Sequence, residues 1–271
     1  MLGVKALSRL FGERSVARAC VPEGVVLYAL GDIHGRADLL GPVLEQVLTD
    51  SVVSDGKRRV LVCLGDYVDR GPHSREVIEA LIQLSRFDGL ECHFLRGNHD
   101  QTMLDFLTDP GVGADWCEYG GRETMVSYGV QPPRGRPDAQ AWEEVSDAFA
   151  AAVPPSHVAF LRSLELSYVS GDYFFSHAGA RPGVALEDQS DEDLMWIRQP
   201  FLNDRKAFDK IVVHGHTPAE EAYADDRRIG LDTGAYATGL LTAARLEGGR
   251  RGLLQAKRQT DGGVQVLTGD L

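Results

Sequence analysis

Five short stretches of this chain concentrate residue types that bind cations. "GDIHG" (31–35) sets Asp32 and His34 two residues apart between glycines. "GDYVDRG" (65–71) carries Asp66, Asp69 and Arg70, and "RGNHD" (96–100) carries Arg96, Asn98, His99 and Asp100. "SHAG" (176–179) adds His177, and "HGHTP" (214–218) adds His214 and His216. Alone, each motif is ordinary turn chemistry. Together they hold five of the eight histidines. Carboxylates and imidazoles gathered in one cleft repel one another and lose hydration unless a cation compensates. Mixed oxygen and imidazole donors suit a borderline divalent ion such as Mn, Fe, Zn or Co better than Ca or Mg alone. The donors exceed the needs of one ion, and a shared carboxylate between two ions about 3.5–4 Å apart would use them all. His73, His93 and His157 are unaccompanied and read as surface or packing residues.

The elements that must position these motifs alternate in type. "VVLYAL" (25–30), "RRVLVCLGD" (58–66) and "ECHFLRGN" (91–98) read as strands. Each is followed by a helical pattern, at 37–50, 74–86 and 99–109. Ser74 reads as the N-cap of the second helix, and Pro42 is tolerable only near the first turn of its own. Three strand–helix units predict a parallel, layered α/β sheet. The motifs then fall at carboxyl ends of strands, where such sheets form their ligand crevice. Gly35, Gly65, Gly71 and Gly97 let the backbone turn sharply there.

Residues 110–163 break this rhythm with Gly- and Pro-rich sequence and the helical "AWEEVSDAFAAAV", and read as a mostly helical insertion near the site. The strand pattern resumes with a hairpin at 164–179 around Ser-Gly-Asp. Short strands follow within 210–218, 227–235 and 239–249, and a closing hairpin turns at "DGG". One domain over 21–271, preceded by an extension over 1–20, accounts for the pattern.

Composition narrows the class. The 271 residues include 40 acidic and 28 basic side chains, a formal net charge of −12. That argues against a nucleic-acid surface, which needs a basic face, but not against phosphate substrates, since bound metals make a site locally positive. Cys20, Cys63, Cys92 and Cys117 form no CxxC pair, so a reducing cytoplasm is expected. No apolar run is long enough to span a membrane. The basic, amphipathic "MLGVKALSRLFGERSVARAC" lacks the apolar core of a secretory signal and reads as a loose or docked surface helix. Oligomeric state is not legible.

The ordered set "GDIHG", "GDYVDRG", "GNHD", "HAG" and "HGHT", spanning residue 31 to about 218, resembles the phosphoprotein phosphatase family of calcineurin-like metallophosphoesterases, bacterial serine/threonine type. The resemblance implies a four-layer αββα sandwich with two divalent metal ions between its sheets, Mn first, with Fe or Zn as alternatives. By position, Asp32 and His34 would bind the first metal, Asp66 would bridge, and Asn98, His177 and His216 would bind the second. His214 would lie behind the ligands. Pro218 stands where wider relatives carry a further histidine.

The implied reaction is hydrolysis of a phosphomonoester on a phosphoprotein or phosphopeptide by hydroxide held between the metals, without a covalent phosphoenzyme. Arg70, Arg198 (in "LMWIRQP") and Arg96 are candidates for binding the phosphoryl oxygens, as guanidinium suits phosphate. His99 would protonate the leaving alkoxide and Asp69 would orient it. The same superfamily includes other phosphodiesterases and diadenosine tetraphosphate hydrolases, and in the latter this second motif tends to read "VARG". Asp69 therefore favours the monoester reading, with the dinucleotide hydrolase as the alternative.

Overall fold

A computed structural model of the chain describes residues 19–51, 55–206 and 208–271. The helix expected in the basic N-terminal segment falls on residues 1–18, outside the described residues. Two sheets form. The first contains β1 (Val25–Leu30), β2 (Arg58–Cys63) and β3 (Glu91–Phe94), then β9 (Leu240–Glu247), β10 (Arg250–Arg258) and β11 (Val264–Asp270). The second contains β4 (Ser167–Ser170), β5 (Tyr173–Ser176), β6 (Ile211–His214), β7 (Tyr223–Ala224) and β8 (Arg228–Gly230). Their orders are β11-β10-β9-β1-β2-β3 and β4-β5-β6-β8-β7.

The first sheet is mixed rather than parallel. β1, β2 and β3 run parallel as expected, but β9 joins β1 antiparallel and β10 and β11 extend that edge. β8 of the other sheet ends only ten residues before β9 begins, so β9 starts at the edge where the parallel strands end and runs back against β1. Tight hairpins, which can only return antiparallel, then add β10 and β11.

Side-chain alternation along the strands divides the interior into three apolar layers. On β1, Val26, Tyr28 and Leu30 face one core with Leu61 and Cys63 of β2 and the first helices. Val25, Leu27 and Ala29 face a second core with Tyr173, Phe175, Val213 and Ile229 of the other sheet. Phe174 and Val212 point the opposite way, onto Leu194, Ile197 and Phe201. Three cores between four layers give the αββα sandwich.

Helices α1 (Ala37–Ser51), α2 (Ser74–Leu84) and α3 (Asn98–Phe106) follow the first three strands. In α1 the buried Leu39, Leu40, Val43, Leu44 and Val47 form one apolar stripe, the spacing a helix on a sheet requires. Pro42 lies in its second turn, one turn further in than expected. Ser74 is not the N-cap of α2: His73 holds that place. The Ser74 hydroxyl instead lies 3.1 Å from the Asp69 N–H and 2.9 Å from Thr124 Oγ1.

The insertion is helical: α4 (Gly113–Glu118), α5 (Gly121–Ser127), α6 (Ala139–Ala152) and α7 (Pro155–Arg162). Trp116, Trp142, Phe149 and Phe160 share the first core with β1 and β2. Three short helices complete the described residues: α8 (Asp191–Trp196), α9 (Gln199–Asn203) and α10 (Ala235–Thr238). None of the helices among the described residues is long and apolar enough to cross a membrane.

Candidate metal centre

The parallel strands β1, β2 and β3 of one sheet and β5, β6 and β8 of the other all end at the same edge of the sandwich. Asp32 follows β1, Asp66 follows β2, Asn98 begins the helix after β3, His177 follows β5 and His216 follows β6. All five are buried, as is His34. Around the Asp66 carboxylate, two sets of potential ligand atoms lie within 4.8 Å of one another: His34, Asp66 and His99, and Asp66, His177 and His216. Asp66 Oδ2 is 3.5 Å from His34 Nε2 and 3.4 Å from His177 Nε2.

Backbone carbonyls decide which nitrogen of each ring is bare. His34 Nδ1 is 2.8 Å from Val68 O, and His177 Nδ1 is 2.9 Å from Leu64 O. A carbonyl has no proton to give, so each Nδ1 donates and each neutral ring turns an Nε2 lone pair inward. At His177 that lone pair meets Asp66 Oδ2, the Asn98 amide oxygen at 3.1 Å and His216 Nδ1 at 3.2 Å. A nest of converging acceptors this close needs a cation or a proton among them. These donors fit a pair of divalent ions.

The acid–base character agrees. Burial acts to lower the pKa of His177, but the Asp66 carboxylate outweighs it and holds it at about 9. His177 thus takes up a proton where a metal would otherwise supply the charge. Burial pushes His34 down to about 3 and His216 down to about 2, leaving both rings neutral. Burial raises Asp32 well above the usual carboxylate range, with Asp232 adding to the effect, and a bound cation would reverse that.

The backbone is bent to serve this cluster. Among the described residues, the non-glycine residues with positive φ are His34 (45°), Asp66 (53°), Asp69 (73°), Arg70 (67°) and His216 (62°). Every one is a candidate site residue, and such strain gathers where geometry serves chemistry. A Cβ on Gly97 would sit 2.0 Å from Asp66 Oδ1, and one on Gly215 would sit 2.0 Å from Asp32 Oδ1. Only glycine admits these carboxylates. Asp100 ties the parts together, accepting the N–H groups of Gly97 (3.0 Å), Asp66 (2.8 Å) and Tyr67 (2.9 Å).

Of the residues expected from sequence, Asp32 accepts the His216 N–H at 3.0 Å and belongs to the same nest, though His99 lies in the first set of ligand atoms. His99 Nδ1 is 2.7 Å from Asp69 Oδ2, and Arg70 Nη2 is 3.1 Å from His99 Nε2. Burial acts to lower the His99 pKa, but Asp66 and Asp69 together raise it. Arg198 is exposed, its guanidinium donates to no group among the described residues, and its charge helps depress His216. Arg96 departs from expectation. Its Nη2 donates to the carbonyls of Arg162 and Leu164 and its Nη1 to Gln101, so it straps α7 to the end of β3. His214 is buried, with Nε2 3.0 Å from Arg228 Nη1. His157 packs against Tyr128 and Glu79, and His93 stacks on Tyr168.

Four residues escaped the sequence reading. Trp116 Nε1 donates to Asp69 Oδ2 at 2.8 Å, and Thr124 Oγ1 donates to Asp69 Oδ1 at 2.7 Å. Both come from the insertion, with no signal in their local sequence. Tyr236 on α10 stacks edge-on to His34, ring centroids 5.4 Å apart, with the Arg70 guanidinium 4.7 Å from its own centroid. Asp232, buried beside Asp32, was findable: it follows β8 as Asp32 follows β1.

Comparison with known proteins agrees with this architecture. Among curated proteins, the bis(5'-nucleosyl)-tetraphosphatase PrpE [asymmetrical] of Anoxybacillus flavithermus is 24% identical over 236 residues, 80% of this chain and 88% of its own. The Bacillus subtilis protein of the same name is 26% identical over 238 residues with the same coverage. Among solved structures, a cold-active protein-tyrosine phosphatase of a psychrophilic Shewanella superposes with a TM-score of 0.54 at 19% identity, covering 94% of this chain and 85% of that one. A candidate diadenosine tetraphosphatase superposes at 0.56 and 18% identity, covering 93% and 98%. The family model of the calcineurin-like phosphoesterases matches residues 25–242, the span holding every cluster residue described above, and the chain belongs to that family.

Proposed function

We propose that this chain hydrolyses dinucleoside tetraphosphates or close relatives, cutting a phosphoanhydride bond at a two-metal centre. The observation that carries the hydrolase reading is the Asp66 carboxylate, facing His34 on one side and His177 on the other at 3.5 and 3.4 Å. The nucleotide class is supported by curated relatives aligned over 80% of the chain and named for that substrate. This reverses the order of preference drawn from Asp69.

Asp32, His34 and Asp66 would hold one ion, and Asp66, Asn98, His177 and His216 the other. Two bound divalent ions supply a water acidified to near neutrality and positive charge against the phosphoryl oxygens. The chain's own groups do the rest. Val68 O and Leu64 O hold the tautomers of His34 and His177. Arg70 and Arg198 bind phosphoryl oxygens, and Arg96 is left out because its donors are engaged elsewhere. Arg70 donates to His99 Nε2 in this structure, so once Arg70 turns to the phosphoryl oxygens Nε2 is free to carry a proton for the departing oxygen, with Asp69 on Nδ1 stabilising the charged ring.

The second reading, a phosphomonoesterase acting on phosphoproteins, is favoured by the His99–Asp69 pair itself, because an alkoxide leaving group needs a proton more than a nucleotide does. Protein reconstituted with Mn and assayed on diadenosine tetraphosphate and on a phosphoserine peptide separates the two. We expect kcat/KM for the dinucleotide to exceed that for the peptide by at least about tenfold. The opposite order would transfer the assignment to the monoesterase.

A further inference from the structure

We propose that the cavity beside the metal centre, walled by Arg36, Arg70, His73, Tyr236 and Arg258, is a subsite for the nucleoside phosphate portion of the substrate that is not being cleaved. The inference rests on the nucleotide reading above. The cavity has a volume of about 310 Å³ and shares two residues with the metal centre. Arg70 reaches both His99 and the cavity, and Tyr236 touches His34 with the same ring that lines the wall. A group held here is therefore covalently within reach of a phosphoryl group at the metals.

The wall has the chemistry of a polyphosphate site. Arg36 is buried and bound in a fork by Asp38, at 2.7 Å from both Nε and Nη2, with its Nη1 on Ala235 O. Asp38 also faces Arg258 Nη1 at 3.7 Å. Arg36 and Arg258 thus share one carboxylate, and with Arg70 the wall sets three guanidinium groups against that single carboxylate, a positive excess inside a chain whose net charge is −12. Three of the five N–H groups of Arg36 are used, leaving donors for a ligand. Tyr236 and Pro72 add apolar surface that inorganic phosphate has no use for but a nucleoside does.

Two of the nine wall residues come from the part of the chain that the family match does not cover. Arg258 ends β10, and Gly262, also in the wall, lies in the turn to β11, both beyond residue 242. The Arg258 N–H donates to Gly239 O at 2.8 Å, fixing the end of β10 to the end of α10, which carries Tyr236. The closing hairpin thus brings its one cationic wall residue to the aromatic one. A phosphopeptide has no polyphosphate to meet this charge, so the cavity would select the substrate class.

The test is competition against p-nitrophenyl phosphate hydrolysis by the Mn-loaded protein, with ADP, pyrophosphate and inorganic phosphate as inhibitors, in the wild type, Arg258→Glu, Arg258→Lys and Tyr236→Leu. We expect ADP to inhibit at least about tenfold more tightly than inorganic phosphate, Arg258→Glu to abolish that preference and Arg258→Lys to retain most of it. Tyr236→Leu should bring ADP close to pyrophosphate. Residual p-nitrophenyl phosphate turnover reports that each variant is folded. ADP binding no better than phosphate, or a preference that survives Arg258→Glu, overturns the inference. ADP no tighter than pyrophosphate in the wild type overturns its nucleoside part. Turnover of diadenosine tetraphosphate, measured separately, decides the proposed function, so the two can fail independently.

Discussion

His99 Nδ1 lies 2.7 Å from Asp69 Oδ2, and that oxygen also accepts the indole N–H of Trp116 at 2.8 Å while Thr124 holds the other oxygen at 2.7 Å. The carboxylate is fully buried and held by donors from two parts of the chain. A carboxylate fixed this way orients the imidazole and stabilises its charged form. The dyad is thus preassembled, with the helical insertion as its clamp.

Removing the acid should show in the dependence on leaving group. His99→Asn is expected to lower kcat by roughly 10²–10³-fold on an alkyl phosphate and much less on p-nitrophenyl phosphate, whose leaving group needs no proton. Trp116→Phe, which deletes one donor to Asp69, should give a smaller loss in kcat at unchanged KM. An equal loss on both substrates would remove His99 from the acid role.

Metal dependence should appear in stability as well as in rate. Treatment with a chelator should abolish hydrolysis and lower Tm, because the converging acceptors around Asp66 lose their compensating charge. Adding Mn back to 100 times its Kd should stabilise the fold by about 2.7 kcal/mol. A Tm indifferent to Mn would contradict the fit of the donor set.

Gly97→Ala tests the close approach at the Asp66 carboxylate, the proposed bridge between the metals. The new Cβ would meet Asp66 Oδ1 at 2.0 Å and Asp66 N at 2.3 Å, so the carboxylate must move. We expect metal content measured by elemental analysis to fall below one ion per chain, with a loss of stability on the order of 2–4 kcal/mol. Full metal content in a folded variant would show that the loop can yield.

The two arginines outside the second motif should separate cleanly. Arg198→Ala should raise KM without changing Tm, as its guanidinium has no partner to lose among the described residues. Arg96→Ala should destabilise by roughly 1–2 kcal/mol by freeing the α7 carbonyls it straps. Denaturant unfolding and steady-state kinetics on both variants check this, and the reverse pattern would restore Arg96 to the phosphate site.

Much of the site is written in local sequence because it lies where strands end. Asp32, Asp66, Asn98, His177 and His216 each follow a strand within a few residues, so strand assignment alone predicted their convergence. The glycines at 97 and 215 signal the same thing, since backbone must pass against a carboxylate there. Asp232 obeys the same rule and could have been read.

Sequence by itself determined the strand–helix order and the five motifs at strand ends, because each is set by contiguous residues whose side-chain period and spacing are visible locally; the sandwich and the roles of the motif residues were what the family resemblance implied. Tertiary structure alone decided the rest. It brought Trp116 and Thr124 onto Asp69 from 47 and 55 residues away, and drew Arg96 off to α7. It also carried Arg258 round on the closing hairpin to face Arg36. These contacts join positions far apart in the chain, and no local pattern encodes a partner that only packing supplies.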